Sequence, residues 1–132
     1  LLHSSVDLVQ ADRLKAARQL AQVYNATIVL KGSGTIIAKD PENVCINTTG
    51  NPALASAGTG DVLAGICGAL LAQKCQHTDA AILAVWLHGK AADTIVQEGV
   101  GPIGVCAHEL IPVVRRELNA LVADTHGVAS AF

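Results

Sequence analysis

The 132-residue sequence predicts an α/β protein, and three observations carry that reading. Hydrophobic residues make up 51% and aromatics only 2%, so the apolar content is mostly Ala, Val, Leu and Ile, enough for a packed core. Between residues 27 and 46, short β-branched runs alternate with turn formers. From residue 59 onward, apolar residues recur almost throughout at helical spacing. A short β meander followed by helices is the expected order.

The first helix is expected from about Asp7 to Tyr24, where Leu14, Ala17, Leu20, Ala21 and Tyr24 recur at helical spacing, with Asn25 as its stop. Residues 27–31 form a β-branched run bounded by Gly32, which predicts a strand; residues 35–38 and 44–46 predict two more. Gly32-Ser33-Gly34 and Asp40-Pro41-Glu42-Asn43 supply the turns. The run from Thr59 to Gln73 is apolar nearly all round, through Val62, Leu63, Ile66, Cys67, Leu70 and Leu71, which predicts a fully buried helix. Thr78 or Asp79 is expected to cap a helix whose face runs through Ile82, Val85, Trp86 and Gly89. After the glycine-rich loop 99–104 comes a last helix with Leu110, Val113, Val114, Leu118 and Leu121 on one stripe. Pro112 is expected to start its second half or to kink it, and residues after Asp124 read as a frayed tail.

Charge and composition exclude several classes. A formal net charge of -2, with no basic face or run, argues against nucleic acid or an anionic membrane as the main partner. No apolar stretch approaches a bilayer's thickness, and no signal peptide is visible. Cys45, Cys67, Cys75 and Cys106 lack close metal-type spacing and read as reduced, mostly buried thiols of a cytoplasmic protein. His3, His77, His108 and His126 are scattered without ligand pairing, so the sequence points to no metal site. His88, on an apolar helix face, reads as a core histidine, and Trp86 as a core or interface anchor. The sequence has no Met and begins Leu1-Leu2-His3, which reads as a fragment, a processed product or a chain without its front half.

The chemistry concentrates in Asn51-Pro-Ala-Leu-Ala-Ser-Ala-Gly-Thr-Gly-Asp61, directly before the apolar helix. Gly58 and Gly60 flank Thr59 where a loop must turn into a helix start, and small residues there let backbone N–H groups point at one spot. A helix N-terminus carries about half a positive charge, so the turn suits an anion. Asp61, in the first turn, is placed to accept a proton from a hydroxyl aimed at a bound phosphate. Spacing alone also allows the plainer reading, a carboxylate that only caps the helix or faces its dipole. Lys31 has the same two readings, a solvated lysine at a strand end or a cation for phosphate or ribose.

The string Ala57-Gly-Thr-Gly-Asp-Val-Leu-Ala-Gly65 resembles the signature of ribokinase-like kinases, and within them the ADP/ATP-dependent NAD(P)H-hydrate dehydratase family. Supporting pieces stand in the family's order: a helix like residues 12–21, Val29-Leu-Lys-Gly-Ser-Gly-Thr-Ile-Ile-Ala38, Asn47-Thr-Thr-Gly-Asn51, and Leu87-His-Gly89 with Asp93. The resemblance covers residues from about 7 to 122 and implies a three-layer ribokinase-like fold, of which residues 1–132 supply the C-terminal portion of a single domain. It implies dehydration of hydrated NADH or NADPH driven by ADP or ATP with Mg²⁺, with Asp61 as base and in contact with the hydrated ring. Lys31, Gly32, Ser33, Gly34 and Thr35 resemble the adenine-nucleotide segment, Gly58, Thr59 and Gly60 the phosphate turn, and Asn47 and Asn51 fall near the substrate. Ala92 stands where the family usually has Gly, a difference expected to concern packing. Family domains are considerably longer than this chain, which implies a homo-oligomer or association with a missing N-terminal segment. The alternatives are a small-molecule kinase of the hydroxyethylthiazole or hydroxymethylpyrimidine type and a silent nucleotide-binding fragment; thiazole kinases tend to carry Cys at the position of Asp61.

Overall fold

The computed structural model describes residues 5–129, with side chains described through residue 123. The backbone gathers into two compact units, one of residues up to Thr48 with Leu70–Val85, the other of Thr49–Ala69 with Trp86 onward. The architecture is α/β, as expected.

In the first unit, α1 (Val6–Ala11) and α2 (Arg13–Tyr24) replace the single helix expected from periodicity. The break is Asp12, whose φ of -146° and ψ of 81° leave the helical region. Its carboxylate accepts the Lys15 N–H at 2.9 Å, so the residue that ends α1 also caps α2. Asn25 ends α2 in the left-handed conformation, as expected, and donates its N–H to the Ala21 carbonyl.

Strands β1 (Ile28–Leu30), β2 (Ile36–Ala38) and β3 (Val44–Ile46) form an antiparallel sheet in the order β1-β2-β3, the expected meander. Ile28 faces Ala38 and Ile36 faces Ile46 across the ladders. The central strand β2 is buried at every position. Its Ile36 and Ala38 pack on Ala17 and Ala21 of α2, with Ile28, Leu30 and Val44 around them. Small alanines let the helix approach the sheet closely. The β2–β3 turn is tied by Asp40, whose Oδ1 accepts from the backbone of Glu42 and Asn43 at 2.9 and 2.7 Å.

The second unit holds a 3₁₀ turn (Pro52–Ala55), most of α3 (Thr59–Ala72) and α4 (His77–Gln97), a second 3₁₀ turn (Ala107–Glu109) and α5 (Leu110–Ala129). Its core contains the fully buried Leu87 and Leu110, with Ala91, Ala92, Ile95, Val113 and Val114. Full burial of Ala92 agrees with a packing role. The stripe predicted on α5 points inward, Leu110, Val113 and Val114 buried and Leu118 and Leu121 half-buried.

Five further expectations are corrected. Pro112 is the third residue of α5, where the N–H has no intrahelical acceptor to lose, so it neither kinks the helix nor opens a second half. Helix α4 begins at His77, which puts Thr78 and Asp79 inside its first turn; Asp79 faces the helix dipole, and the Thr78 hydroxyl lies 3.2 Å from that of Thr27. The backbone beyond Asp124 continues as helix to Ala129, and residues 130–132 lie outside the described residues, as does His3. The thiols are free as expected, yet Cys45 and Cys106 are exposed and Cys67 and Cys75 only half-buried; burial pushes the Cys67 thiol above its usual pKa. Finally, α3 buries Leu63 and Leu70 but leaves Ala64, Gly65, Gly68, Ala69 and Leu71 exposed. Apolar content marked this helix for burial on all sides, and no described residue covers that side; a Cβ at Gly65 or Gly68 would meet nothing within 4 Å. Among the described residues no helix is long and apolar enough to cross a membrane.

Candidate active site

The loop from Thr49 to Asp61 is held along its length. At its start the Thr49 hydroxyl donates to the Trp86 carbonyl of α4 at 3.1 Å. Asp93, two turns further along α4, accepts the Gly50 N–H and the Asn51 side-chain amide, each at 2.9 Å, one on each carboxylate oxygen. Asn51 in turn caps the first 3₁₀ turn, its Oδ1 accepting the Ala53 N–H at 3.0 Å. Gly89 of α4 lies against Thr49 so closely that a Cβ there would stand 2.2 Å from the Thr49 hydroxyl oxygen. In the middle of the loop, Ser56 donates to the Val105 carbonyl at 2.8 Å.

Gly58, with φ of +83°, turns the chain into α3. Its carbonyl accepts from both Asp61 and Val62 N–H at 3.1 Å. The Thr59 side chain is buried, its hydroxyl within reach of the Leu54 and Ser56 carbonyls at 2.8 and 3.0 Å. The Thr59 carbonyl lies 2.8 Å from Nε2 of His88, itself only 3% exposed. Gly58, Gly60 and Asp61 remain exposed. The turn therefore presents glycine backbone and a carboxylate to solvent at the positive end of a 14-residue helix, with its remaining side chain turned inward. An anion at the N–H groups with a proton acceptor beside it is what this arrangement can accommodate.

In the first unit the other predicted segment is equally fixed. Lys31, Gly32 and Ser33 are exposed, and Thr35 is buried with its hydroxyl donating to the Gly32 carbonyl at 3.0 Å. Gly34 takes φ of +63°, the left-handed region glycine tolerates. From α2, Arg13 donates to the Ser33 carbonyl at 2.6 Å and to the Leu30 carbonyl at 3.0 Å. Its guanidinium occupies the space beside Gly32, where a Cβ would meet Nη2 at 2.6 Å. The Asn47 N–H donates to the Thr35 carbonyl at 2.9 Å, so Asn47 joins Lys31–Thr35 in this unit, while Asn51 joins Gly58–Asp61 in the other. Three residues that shape these loops, Arg13, His88 and Asp93, carried no such role in the sequence reading. All three stood inside quoted motifs, and that placement was the available signal. Among the described residues no group of three or more His, Cys, Asp or Glu side chains is arranged to hold a metal ion.

A small antiparallel sheet, packed helices and a glycine–aspartate turn opening a helix are features of a ribokinase-like α/β protein, and solved structures agree. A crystal structure described as the ADP/ATP-dependent NAD(P)H-hydrate dehydratase of Bacillus subtilis, co-crystallised with ATP and Mg²⁺ and soaked with CoA, superposes with a TM-score of 0.78 at 35% identity, over 85% of this chain and 41% of that one. The family model for NAD(P)H-hydrate dehydratase matches residues 1–116, and the chain belongs to that family. It is 44% identical over 115 residues to the ADP-dependent (S)-NAD(P)H-hydrate dehydratase of Neisseria meningitidis, covering 87% of this chain and 39% of that protein. It is 47% identical over 119 residues to a bifunctional NAD(P)H-hydrate repair enzyme of Vibrio cholerae, 90% of this chain and 24% of that one. The chain thus spans well under half the length of these relatives.

Proposed function

We propose that the chain supplies the nucleotide-handling, carboxyl-terminal portion of a single domain that dehydrates hydrated NADH or NADPH to the reduced cofactor, using ADP or ATP. Family membership carries this reading. The exposed Asp61 carboxylate in the first turn of α3 supports it chemically. Asp61 takes the proton of the substrate hydroxyl as that oxygen attacks the terminal phosphorus of the nucleotide. The bond from that phosphorus to its bridging oxygen breaks, releasing AMP or ADP. The ring C–O bond then breaks and inorganic phosphate leaves; loss of a proton from the neighbouring ring carbon restores the double bond.

Gly58, Thr59 and Gly60 contribute backbone N–H groups to the phosphate charge, consistent with the inward turn of the Thr59 side chain. Lys31–Thr35 hold the adenine nucleotide, and the exposed Lys31 is a cation of suitable reach. Asn47 and Asn51 border the substrate. Mg²⁺ held through the nucleotide's phosphates would neutralise part of their charge. The exposed apolar side of α3 supports the expectation that the chain works packed against further polypeptide, either more of the family domain or a second copy. Four free thiols support a cytoplasmic setting.

The deciding measurement is nucleotide-dependent recovery of reduced-nicotinamide absorbance from NADH hydrate, comparing the protein with Asp61→Ala. Recovery is expected in the former, with a loss of about a hundredfold or more in the variant. Protection against heat by ADP without any recovery would instead mark a nucleotide-binding fragment. A phosphorylated product that accumulates would mark a kinase.

A further inference from the structure

We infer that His88 is a positioning residue for the turn that carries Asp61, acting through the Thr59 carbonyl; the inference rests on the role proposed for Asp61. A carbonyl oxygen only accepts, so the 2.8 Å contact requires Nε2 of His88 to carry a proton and donate it. The acceptor is the first residue of α3, and the residues that follow it are Gly60 and Asp61. Both partners are buried, at 3% exposure each, and Leu87, Ala91 and Ala92 of the His88 helix are buried as well. In such surroundings a hydrogen bond to the backbone has no water to compete with it and fixes direction closely.

Independent features of the same helix make a filler role insufficient. One residue further on, Gly89 admits Thr49 to the helix surface, and Asp93 grips Gly50 and Asn51. Helix α4 thereby fastens the beginning of the loop through Gly89 and Asp93 and its end through His88. The end is where a fixed geometry matters most, because glycine at 58 and 60 leaves the backbone few restraints of its own. With Thr59 held from His88 and from its own hydroxyl, the first turn of α3 has one orientation. Asp61 and the adjoining N–H groups are then presented together.

Two variants separate this role from plain packing. His88→Phe keeps the ring volume and removes the donor; His88→Gln places an amide N–H close to the position of Nε2. On the proposed reaction, His88→Phe is expected to lower kcat by about tenfold to a hundredfold with a smaller rise in KM for the nucleotide, since a small misplacement of the base costs rate more than the loosened phosphate turn costs binding. His88→Gln is expected to recover most of that loss. Hydrogen exchange measures the same thing without catalysis: amides in residues 59–63 should exchange faster in His88→Phe and near the original rate in His88→Gln, with α5 unchanged in both. Equal losses of kcat in the two variants, or unaltered exchange at 59–63 in His88→Phe, would overturn the inference. Absence of turnover in the unaltered protein would count against the proposed reaction alone, and the exchange comparison would still decide the part played by His88.

Discussion

Asp40 shows how much one half-buried surface residue can organise. The side-chain amide of Asn43 reaches both carboxylate oxygens, at 3.0 and 2.8 Å, and the backbone N–H groups of Asn43 and Glu42 add two more bonds. These bonds, the Asn43 side chain foremost, favour the charged form and hold the Asp40 pKa below its usual value. A carboxylate whose pKa is lower folded than unfolded adds stability above the unfolded value, about 3.9, and that stability disappears as pH falls through the folded value. The prediction is that the difference in melting temperature between the protein and Asp40→Ala is largest near neutrality and closes below about pH 4. Melting curves recorded across acid pH check it, and a difference that stays constant with pH would contradict it. Sequence reading saw Asp40-Pro41-Glu42-Asn43 as a turn because these residue types favour turns. Which oxygen takes which N–H depends on a closed ring of four residues, and composition alone does not specify that.

Among the elements, the glycines of α3 and α4 sit in contrasting places. Gly89 meets Thr49 backbone carbon and oxygen at 2.7 Å from where a Cβ would stand, so Gly89→Ala must push the backbone apart. Overpacking of that kind costs about 1–3 kcal/mol, more than the helix-propensity gain of alanine. Gly68 has open space at the same point, so Gly68→Ala is expected to stabilise by about 1 kcal/mol through propensity. Chemical denaturation of the two variants should therefore move in opposite directions, and two shifts of the same sign would refute the packing described for α4. The elements themselves were legible, because a period of two or of 3.6 is a local property: three strands and the cores of the three long helices stand where the pattern put them. The break at Asp12 was not legible, since the apolar positions that marked the helix, Leu14 to Tyr24, all lie after it and only the cap bond to Lys15 reveals the interruption. Burial of α3 was misread for a related reason. An apolar helix states a preference for cover, and whether cover exists depends on what else is packed there.

For the molecule as a whole, the candidate site was legible as far as its motifs, and its supports were not. Gly58, Gly60 and Asp61 stand exposed at a helix start, as the string Gly-Thr-Gly-Asp foretold. The bonds that hold such loops join residues 20, 29 and 42 positions apart, as in Arg13 to Ser33, His88 to Thr59 and Asn51 to Asp93, and no local period records them. The two exposed groups proposed for different tasks, Lys31 and Asp61, give the whole-molecule test. A lysine that only attracts phosphate binds the ground state and transition state alike, so Lys31→Ala should raise the nucleotide KM by about tenfold and leave kcat near its original value. An Asp61→Asn change removes a proton acceptor needed only as the hydroxyl attacks, so kcat should fall steeply while ADP still protects against heat. Ligand present at a hundred times its Kd adds about 2.7 kcal/mol of stability, enough to read as a clear rise in melting temperature. Lys31→Ala should reduce that rise at fixed ADP, and Asp61→Asn should preserve it. If the two variants exchanged these signatures, the assignment of binding to the Lys31 loop and of chemistry to the α3 turn would have to be reversed.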